Sequence, residues 1–379
     1  MRVMALVLLA GVGCDEKEEE DVPTGIAALG GGSNDIDSVT VTEIGTEDDG
    51  LNIPRDLEFN PDVEGELWVV NQADDSVTIF DGAGTDAQDS EHIIDPYAMH
   101  FMEEVSSISF GAATFDGSDS LTFGTCQDSG NTYNDNYAPN YFMGPTLWSA
   151  DRSIFGESNP AAVDFLSDLF GFYADLGSHL DMLHESPYCM GIAWETENVY
   201  WVFDGHDGNI VRYDFVEDHD VGYDDHSDGV ISRFVEAEVE RVEDVASHMA
   251  YDQSTGLLYI ADTGNNLITV LDTTSGEEGD RLAASESGVQ HHEWVESDYW
   301  TLISGEDFGM GQPSGLTLVE DHLLITDYAN GNILAFDLEG NLVDWLGTGL
   351  SGIQGIEARS LEDIWIVDSA TDRVLRLQP

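Results

Sequence analysis

Imidazoles have the strongest claim on chemistry in this chain. It carries 11 histidines, and neutral imidazole is a preferred zinc ligand, with catalysis following where one coordination position stays open. His179-Leu-Asp-Met-Leu-His184 brings two imidazoles and a carboxylate together. On a helix His179 and Asp181 would point apart, so that segment alone makes no site. His100, His206 and His248 are dispersed, and no His-Glu-x-x-His motif joins any of them. Arg55 suits a substrate carboxylate or an oxyanion, or an ion pair with an acid such as Asp56 or one near the C-terminus. Cys126 and Cys189 can form a disulfide, or lend thiolates to a metal with His184 or His248. Asp218-His-Asp-Val-Gly-Tyr-Asp-Asp-His-Ser-Asp-Gly229 looks cation-binding, but position twelve counted from Asp224 is Val235 where an EF-hand needs glutamate. A solvated loop is expected there. Nucleophile elbow, phosphate-binding loop and dinucleotide fingerprint are all missing, which sets nucleotide chemistry aside.

Such residues act together only if the fold gathers them, and internal repetition shows the fold. Five segments share an apolar strand, a polar turn and an alternating strand. They are Leu67-Trp-Val-Val-Asn71 with Val77-Thr-Ile-Phe-Asp81, Val199-Tyr-Trp-Val-Phe-Asp204 with Ile210-Val-Arg-Tyr-Asp214, and Leu258-Tyr-Ile-Ala-Asp262 with Ile268-Thr-Val-Leu-Asp272. Leu323-Leu-Ile-Thr-Asp327 with Ile333-Leu-Ala-Phe-Asp337, and Ile364-Trp-Ile-Val-Asp368 with Val374-Leu-Arg-Leu377, complete them. A divergent member lies second in chain order: Leu121-Thr-Phe-Gly-Thr-Cys126, a long insertion, then Pro145-Thr-Leu-Trp148. A short strand precedes each, as in Arg55-Asp-Leu-Glu-Phe59 and Ser314-Gly-Leu-Thr-Leu318.

Strand, strand, turn, strand, with an aspartate closing the second strand, resembles the NHL repeat over roughly residues 50–379. The resemblance implies an all-β, six-bladed β-propeller of the NHL/TolB-like kind and is nearly silent on function. One repeat cannot bury both faces of its sheet, whereas a ring of six can. The last repeat lacks its outer strand, and the period-two segment Ser38-Val-Thr-Val-Thr-Glu-Ile44 can supply it, closing the ring.

In that geometry the leading residues of the innermost strands, Arg55, Ser106, Met190, His248, Ser314 and Gln354, surround the central channel. His100 and His184 each lie six residues before such a position, and His206 lies in a turn on the same face. Arg55, Ser106, Met190, Ser314 and Gln354 are therefore the candidate ligand-binding set, and His100, His184 and His248 the candidate metal ligands. In general layout this resembles the zinc-bearing peptidylglycine-amidating lyase propellers. A calcium-dependent lactonase-like propeller would need carboxylates converging in the channel, and none of the leading residues is one. Zinc and calcium are the cofactors these patterns admit. Adjacent blades would bring Cys126 and Cys189 within reach of a disulfide.

Two insertions fall in the second blade. Residues 127–144 are rich in Asn, Asp, Tyr and Gly and predict a long loop. Residues 159–176 predict an amphipathic helix capped by Asn159, with Pro160 first and Val163, Leu166, Phe170 and Tyr173 on one face. Tyr133, Tyr137, Tyr141, Phe142 and Trp148 offer aromatic surface for recognition or for packing of the loop on its own blade.

Composition limits partners and place. Formal net charge is -65, from 76 acidic against 11 basic residues, which repels nucleic acid and anionic lipid and suits salty surroundings. Lys17 is the only lysine. The apolar run Val3 to Val12 is too short to span a bilayer and reads as an export signal over residues 1–13. Ala10-Gly11-Val12-Gly13-Cys14 resembles a bacterial lipobox, departing from it at Gly11, and implies a lipid on Cys14. Residues 14–37 then form an acidic, glycine-rich tether and residues 38–379 the propeller. The expected role is binding or scaffolding outside the cytoplasm, in the periplasm or at the cell surface, with a protein, peptide, glycan or small ligand at the propeller face. The membrane is met only through the anchor. The alternative is a zinc-dependent lyase or hydrolase at the channel mouth.

Overall fold

The computed structural model describes residues 25–111, 118–132, 137–217 and 219–379. The export signal, Cys14, Lys17, Tyr133 and Asp218 lie outside these residues.

Six sheets are arranged as the blades of a propeller. Their innermost strands are Pro54–Phe59, Val105–Phe110, Cys189–Thr196, Met249–Asp252, Pro313–Val319 and Ile353–Ser360. Second strands such as Leu67–Asn71 and Val199–Asp204 are buried along their whole length, because each lies between neighbouring blades. That double burial explains their continuous apolar runs, where a one-sided strand would alternate. Large aromatics fill the wedges between blades, and Trp68, Trp148, Trp201 and Trp365 are fully buried. Trp68 of blade one meets Phe110 and Phe123 of blade two edge-on at ring separations of 5.5 and 5.0 Å.

The ring closes as the repeat predicts. Thr40–Gly45 pairs antiparallel with Arg373–Gln378, Val41 opposite Leu377, and becomes the outer strand of blade six. Ordered packing begins earlier than the expected boundary at residue 38. Ile26, Ala28 and Leu29 are buried in the core shared by blades five and six. The Ala28 N–H donates to the Leu361 carbonyl at 3.2 Å and the Ile26 N–H to Asp344 at 2.8 Å. Gly30 and Gly32 turn the chain with φ of 87° and 88°, so this glycine run is a tight turn where a solvated tether was expected.

The insertions also differ from expectation. The helix runs Pro160–Phe170, with the Asn159 side chain accepting from the Ala161 N–H at 3.1 Å. It stops at left-handed Gly171 (φ 78°), short of residue 176. It buries Ala162 and Leu166 and leaves Phe170 exposed. A further insertion leaves blade four between its third strand, Leu267–Asp272, and its outer strand, Tyr299–Ser304. This hairpin, Glu277–Arg281 with Gln290–Val295, crosses to blade three. There it runs parallel to Val230–Glu238, Ile231 opposite His291, and extends that sheet to six strands. Insertions from blades two, three and four therefore meet on one side of the ring.

Removing residues 1–45 would leave the outer edge of Arg373–Gln378 unpaired and uncover the sites of Ile26, Leu29 and Ile44. At about 1.5–3 kcal/mol for each buried aliphatic side chain, the truncated chain is expected to melt roughly 10 °C lower, with a tendency to aggregate through its bare edge. Differential scanning calorimetry checks this; an unchanged transition would refute the closing role of this segment.

Candidate functional site

The leading residues of the innermost strands do not rim an open mouth. Ser106, Met190, Ser314 and Gln354 are all buried, and three of them join blades. The Ser106 hydroxyl donates to the Cys189 carbonyl at 2.6 Å, and the Ser314 hydroxyl to the Ala246 carbonyl at 2.8 Å. Gln354 accepts from the Ala246 N–H at 2.8 Å. Met190 packs among Trp201, Phe203 and Met249. Glycine follows the leading residue where backbones nearly touch: a Cβ on Gly191 would lie 2.0 Å from the Ser247 carbonyl oxygen, and one on Gly315 2.0 Å from that of Gln354. Arg55 is buried too, with Asp244 at 3.4 Å and Asp128 at 4.0 Å as counter-charges. These come from neighbouring loops, and Asp56 and blade six are not among its partners. Burial lowers the Arg55 pKa against the opposing pull of both aspartates.

At the far end of the channel is a cavity of about 250 Å³, lined by Asp56, Glu58, Ser109, Trp194, His248 and Glu357 among others. Three carboxylates thus enter the channel one to three residues beyond the leading positions. Asp56 accepts from the Ile108 N–H at 3.0 Å and Glu58 from the Phe110 N–H at 2.8 Å, so both also tie blade one to blade two. Burial raises the pKa of Asp56 and of Glu357 to about 8, and Glu58 is raised by burial and by Glu357. The three do not bring oxygens to ligand spacing. Among the described residues, Asp181, His219 and Asp228 are the set of three whose ligand atoms all lie within 4.8 Å of one another.

The expected metal ligands separate. His248 lies against Asp56 (3.4 Å) and the Ser106 carbonyl (3.4 Å), and burial lowers its pKa to about 4. His100 and His184 do meet: their Nε2 atoms are 3.3 Å apart. The two cysteines cannot join them as thiolates, because Cys126 and Cys189 form a disulfide between blades two and three. His206 lies apart, half-exposed and stacked on Tyr141 at 4.5 Å.

Around His100 and His184 the three insertions supply residues that spacing did not single out. Asp181–Met182 is an extended strand, the outermost of blade two. In extended chain His179 and Asp181 share a side, and both face His226 of the Asp218–Gly229 loop. His226 Nδ1 lies 2.8 Å from Asp181, and its ring 5.6 Å from that of His179. That loop is therefore a part of the site, contrary to the solvated reading. It also presents His219, whose Nε2 is 2.9 Å from Asp228. The blade-four hairpin delivers Glu286 to His184 Nδ1. Residues 127–144 add Asn131, 3.3 Å from His100 Nδ1, and Phe142, stacked on the His184 ring at 3.7 Å. Burial holds His179 and His184 well below the ordinary imidazole pKa, and His100 at about 4. His226 is raised to about 9: burial opposes this, but its bonds to Asp181 and Asp224 prevail.

Beside this cluster, the helical insertion turns aromatic side chains outward. Phe165, Leu169, Phe172 and Tyr173 are 54, 64, 67 and 75% exposed. With Tyr97, Phe170 and Leu176, the last two aromatics line a groove of about 420 Å³.

No family model and no curated protein matches this chain. Solved propellers do resemble it. An auxiliary nutrient binding protein from Bacteroides ovatus superposes with a TM-score of 0.51 at 12% identity, over 90% of this chain and 76% of that one. A second, from Bacteroides thetaiotaomicron, has a TM-score of 0.51 at 12% identity over 86% and 68%. A luciferin-regenerating enzyme has a TM-score of 0.50 at 12% identity over 90% and 95%. At these identities the likeness shows a shared fold and nothing finer.

The channel carboxylates generate a pH prediction. A carboxyl group whose folded pKa lies above its unfolded value keeps, in the native state, a proton that the unfolded chain releases. Its stabilising contribution is present below about pH 4 and is lost as pH rises to about 8 for Glu357. Between pH 6 and pH 9 at constant ionic strength, Glu357→Gln should therefore lose less thermal stability than wild type, by at least about 3 °C. Parallel melting curves would contradict the burial of an ionisable Glu357.

Proposed function

We propose that this chain is an extracytoplasmic binding propeller, lipid-anchored through Cys14, that takes its ligand on the outer surface of blade two. The aromatic surface after the helix Pro160–Phe170 carries this reading. Soluble proteins seldom leave a contiguous apolar patch exposed without a use for it, and here it lies on a chain with a net charge of -65. The helix turns Ala162 and Leu166 inward and leaves Phe165, Leu169 and Phe170 to solvent.

The ligand is expected to be neutral or cationic, because so acidic a surface disfavours anions. A sugar face or an apolar peptide side chain suits the rings of Phe172 and Tyr173. Asp175, which accepts from the Tyr173 hydroxyl at 3.1 Å and the Ser158 hydroxyl at 2.6 Å, sets a polar edge to the groove. The nutrient-binding role borne by the names of the two Bacteroides structures is consistent with this reading. The Cys126–Cys189 disulfide supports export to an oxidising compartment. No helix among the described residues is long and apolar enough to cross a membrane. A zinc lyase or hydrolase at the channel mouth needed His248 beside His100 and His184, and we do not carry that reading forward.

Titration calorimetry of wild type against neutral oligosaccharides and apolar peptides tests the proposal, with Phe172→Ser/Tyr173→Ser as comparison. Both side chains are exposed, so the variant should keep wild-type stability while losing about tenfold or more in affinity for any ligand found. Equal affinities would place the recognition surface elsewhere.

A further inference from the structure

The loop between Asn209–Asp214 and Val230–Glu238 of blade three folds back against the outermost strand of blade two. Backbone carbonyls pin it there. The His219 N–H donates to the Leu180 carbonyl at 3.3 Å and the Gly222 N–H to that of His179 at 2.9 Å. The Asn159 amide nitrogen holds the Val221 carbonyl at 2.8 Å. His219 and Asp228 are thereby set beside Asp181, which is fully buried. His219 Nε2 lies 2.9 Å from Asp228 Oδ1 and 3.8 Å from Asp181 Oδ2. One ligand atom from each of the three residues lies within 4.8 Å of the other two. Donor atoms on one tetrahedral zinc ion, at bonds of about 2.0–2.2 Å, are about 3.3–3.6 Å apart. The two measured separations straddle that range.

The Asp181 carboxylate is divided between two tasks. Its Oδ1 accepts from the Met182 N–H at 2.6 Å and faces His226 Nδ1 at 2.8 Å. Its Oδ2 is buried with no hydrogen-bond partner among the described residues, and its 3.8 Å separation from His219 Nε2 is too long for one. A buried carboxylate oxygen left without a donor is costly. A cation between Oδ2 and Nε2 would satisfy it. Asp228 is arranged in the same way: Oδ2 accepts from the Glu217 N–H at 3.2 Å, and Oδ1 is turned to His219. Each carboxylate is thus oriented through one oxygen and offers the other, as outer partners orient metal-binding carboxylates. The Asp228 side chain is 33% exposed, which leaves the ion an entry path and a side open to water.

We propose that Asp181 Oδ2, His219 Nε2 and Asp228 Oδ1 bind one divalent transition-metal ion of the zinc type, its remaining position open to solvent. The imidazole selects such an ion over calcium and magnesium, which take all-oxygen sets. The bound ion fastens the blade-three loop to the outer strand of blade two. None of the three residues lines the aromatic groove, so this proposal and the ligand-binding one can fail separately.

The test is zinc binding to the full chain, stripped with chelator and titrated with zinc chloride. High salt with excess calcium and magnesium occupies the surface carboxylates. Elemental mass spectrometry after gel filtration should give one zinc per chain. His219→Ala and Asp228→Asn each remove a direct ligand from a partly exposed loop and should fold as wild type does. Each should weaken the tight site by about a hundredfold or more, at or beyond the loss typical of outer partners. Full zinc uptake by both variants would overturn the proposal, and so would wild type that holds no zinc or surrenders it to calcium. Should the variants fail to fold, copper-loaded wild type decides by electron paramagnetic resonance. Coupling to one imidazole nitrogen is expected, and coupling to several or to none would refute the site.

Discussion

A propeller's innermost strands line a channel and are not paired with one another, so the backbone groups they turn toward neighbouring blades have no ladder to complete. A buried backbone group without a partner costs about 1–3 kcal/mol, and the ring cannot close until those groups are satisfied. In this chain side chains do much of it, beside direct backbone bonds from the Ser247 N–H to the Met190 carbonyl and from the His248 N–H to the Ser314 carbonyl. Ser106 donates from blade two to the Cys189 carbonyl of blade three and Ser314 of blade five to the Ala246 carbonyl, Asp56 and Glu58 both accept N–H groups across the seam of blades one and two, and Gln354 of blade six accepts the Ala246 N–H. Gly191 and Gly315 let backbones approach closely enough for those bonds to form. The residues best placed to reach a ligand at the channel mouth are thereby committed to holding the blades together.

With the leading residues of the inner strands taken up by structure, this propeller departs most from its repeat at the periphery. Three insertions rooted in separate blades converge beside blade two: the long loop and helix of that blade, the Asp218–Gly229 loop of blade three, and the hairpin from blade four. The Cys126–Cys189 disulfide locks the second strand of blade two to the first strand of blade three beneath them. A rigid base under long loops is the usual way to hold a recognition surface steady while its loops vary. It also explains how Asn131, His179, His226 and Glu286, far apart in sequence, share one region.

The repeat made the architecture legible, because in a ring of such repeats the doubly buried strands, such as Leu67–Asn71 and Val199–Asp204, lie between blades, and Thr40–Gly45 had one unpaired partner to find. The helix start was equally legible from Asn159 and Pro160, which act locally. Its end was not: Gly171 outweighed an apolar pattern that continued through Phe172 and Tyr173, because those rings are exposed. Grouping histidines by face joined His100 to His184, which flank neighbouring inner strands, but also drew in His248, whose strand position turns it toward Asp56. His226 and Glu286 were hidden for a different reason. Their loops cross between blades, and the parallel pairing that carries the hairpin to Val230–Glu238 leaves no local signature. The channel carboxylates were missed by one register step, since alternation along the strand brings Asp56 and Glu58 inward where the leading residues had been considered.

The central claim is that this propeller has moved its chemistry off the axis, to the junction of blades two and three. Diffraction from crystals soaked in a neutral oligosaccharide or an apolar peptide tests it most directly. The account predicts ligand density against Phe172 and Tyr173 on the outer surface of blade two. Density in the channel beside Asp56 and His248, with that groove bare, would contradict it.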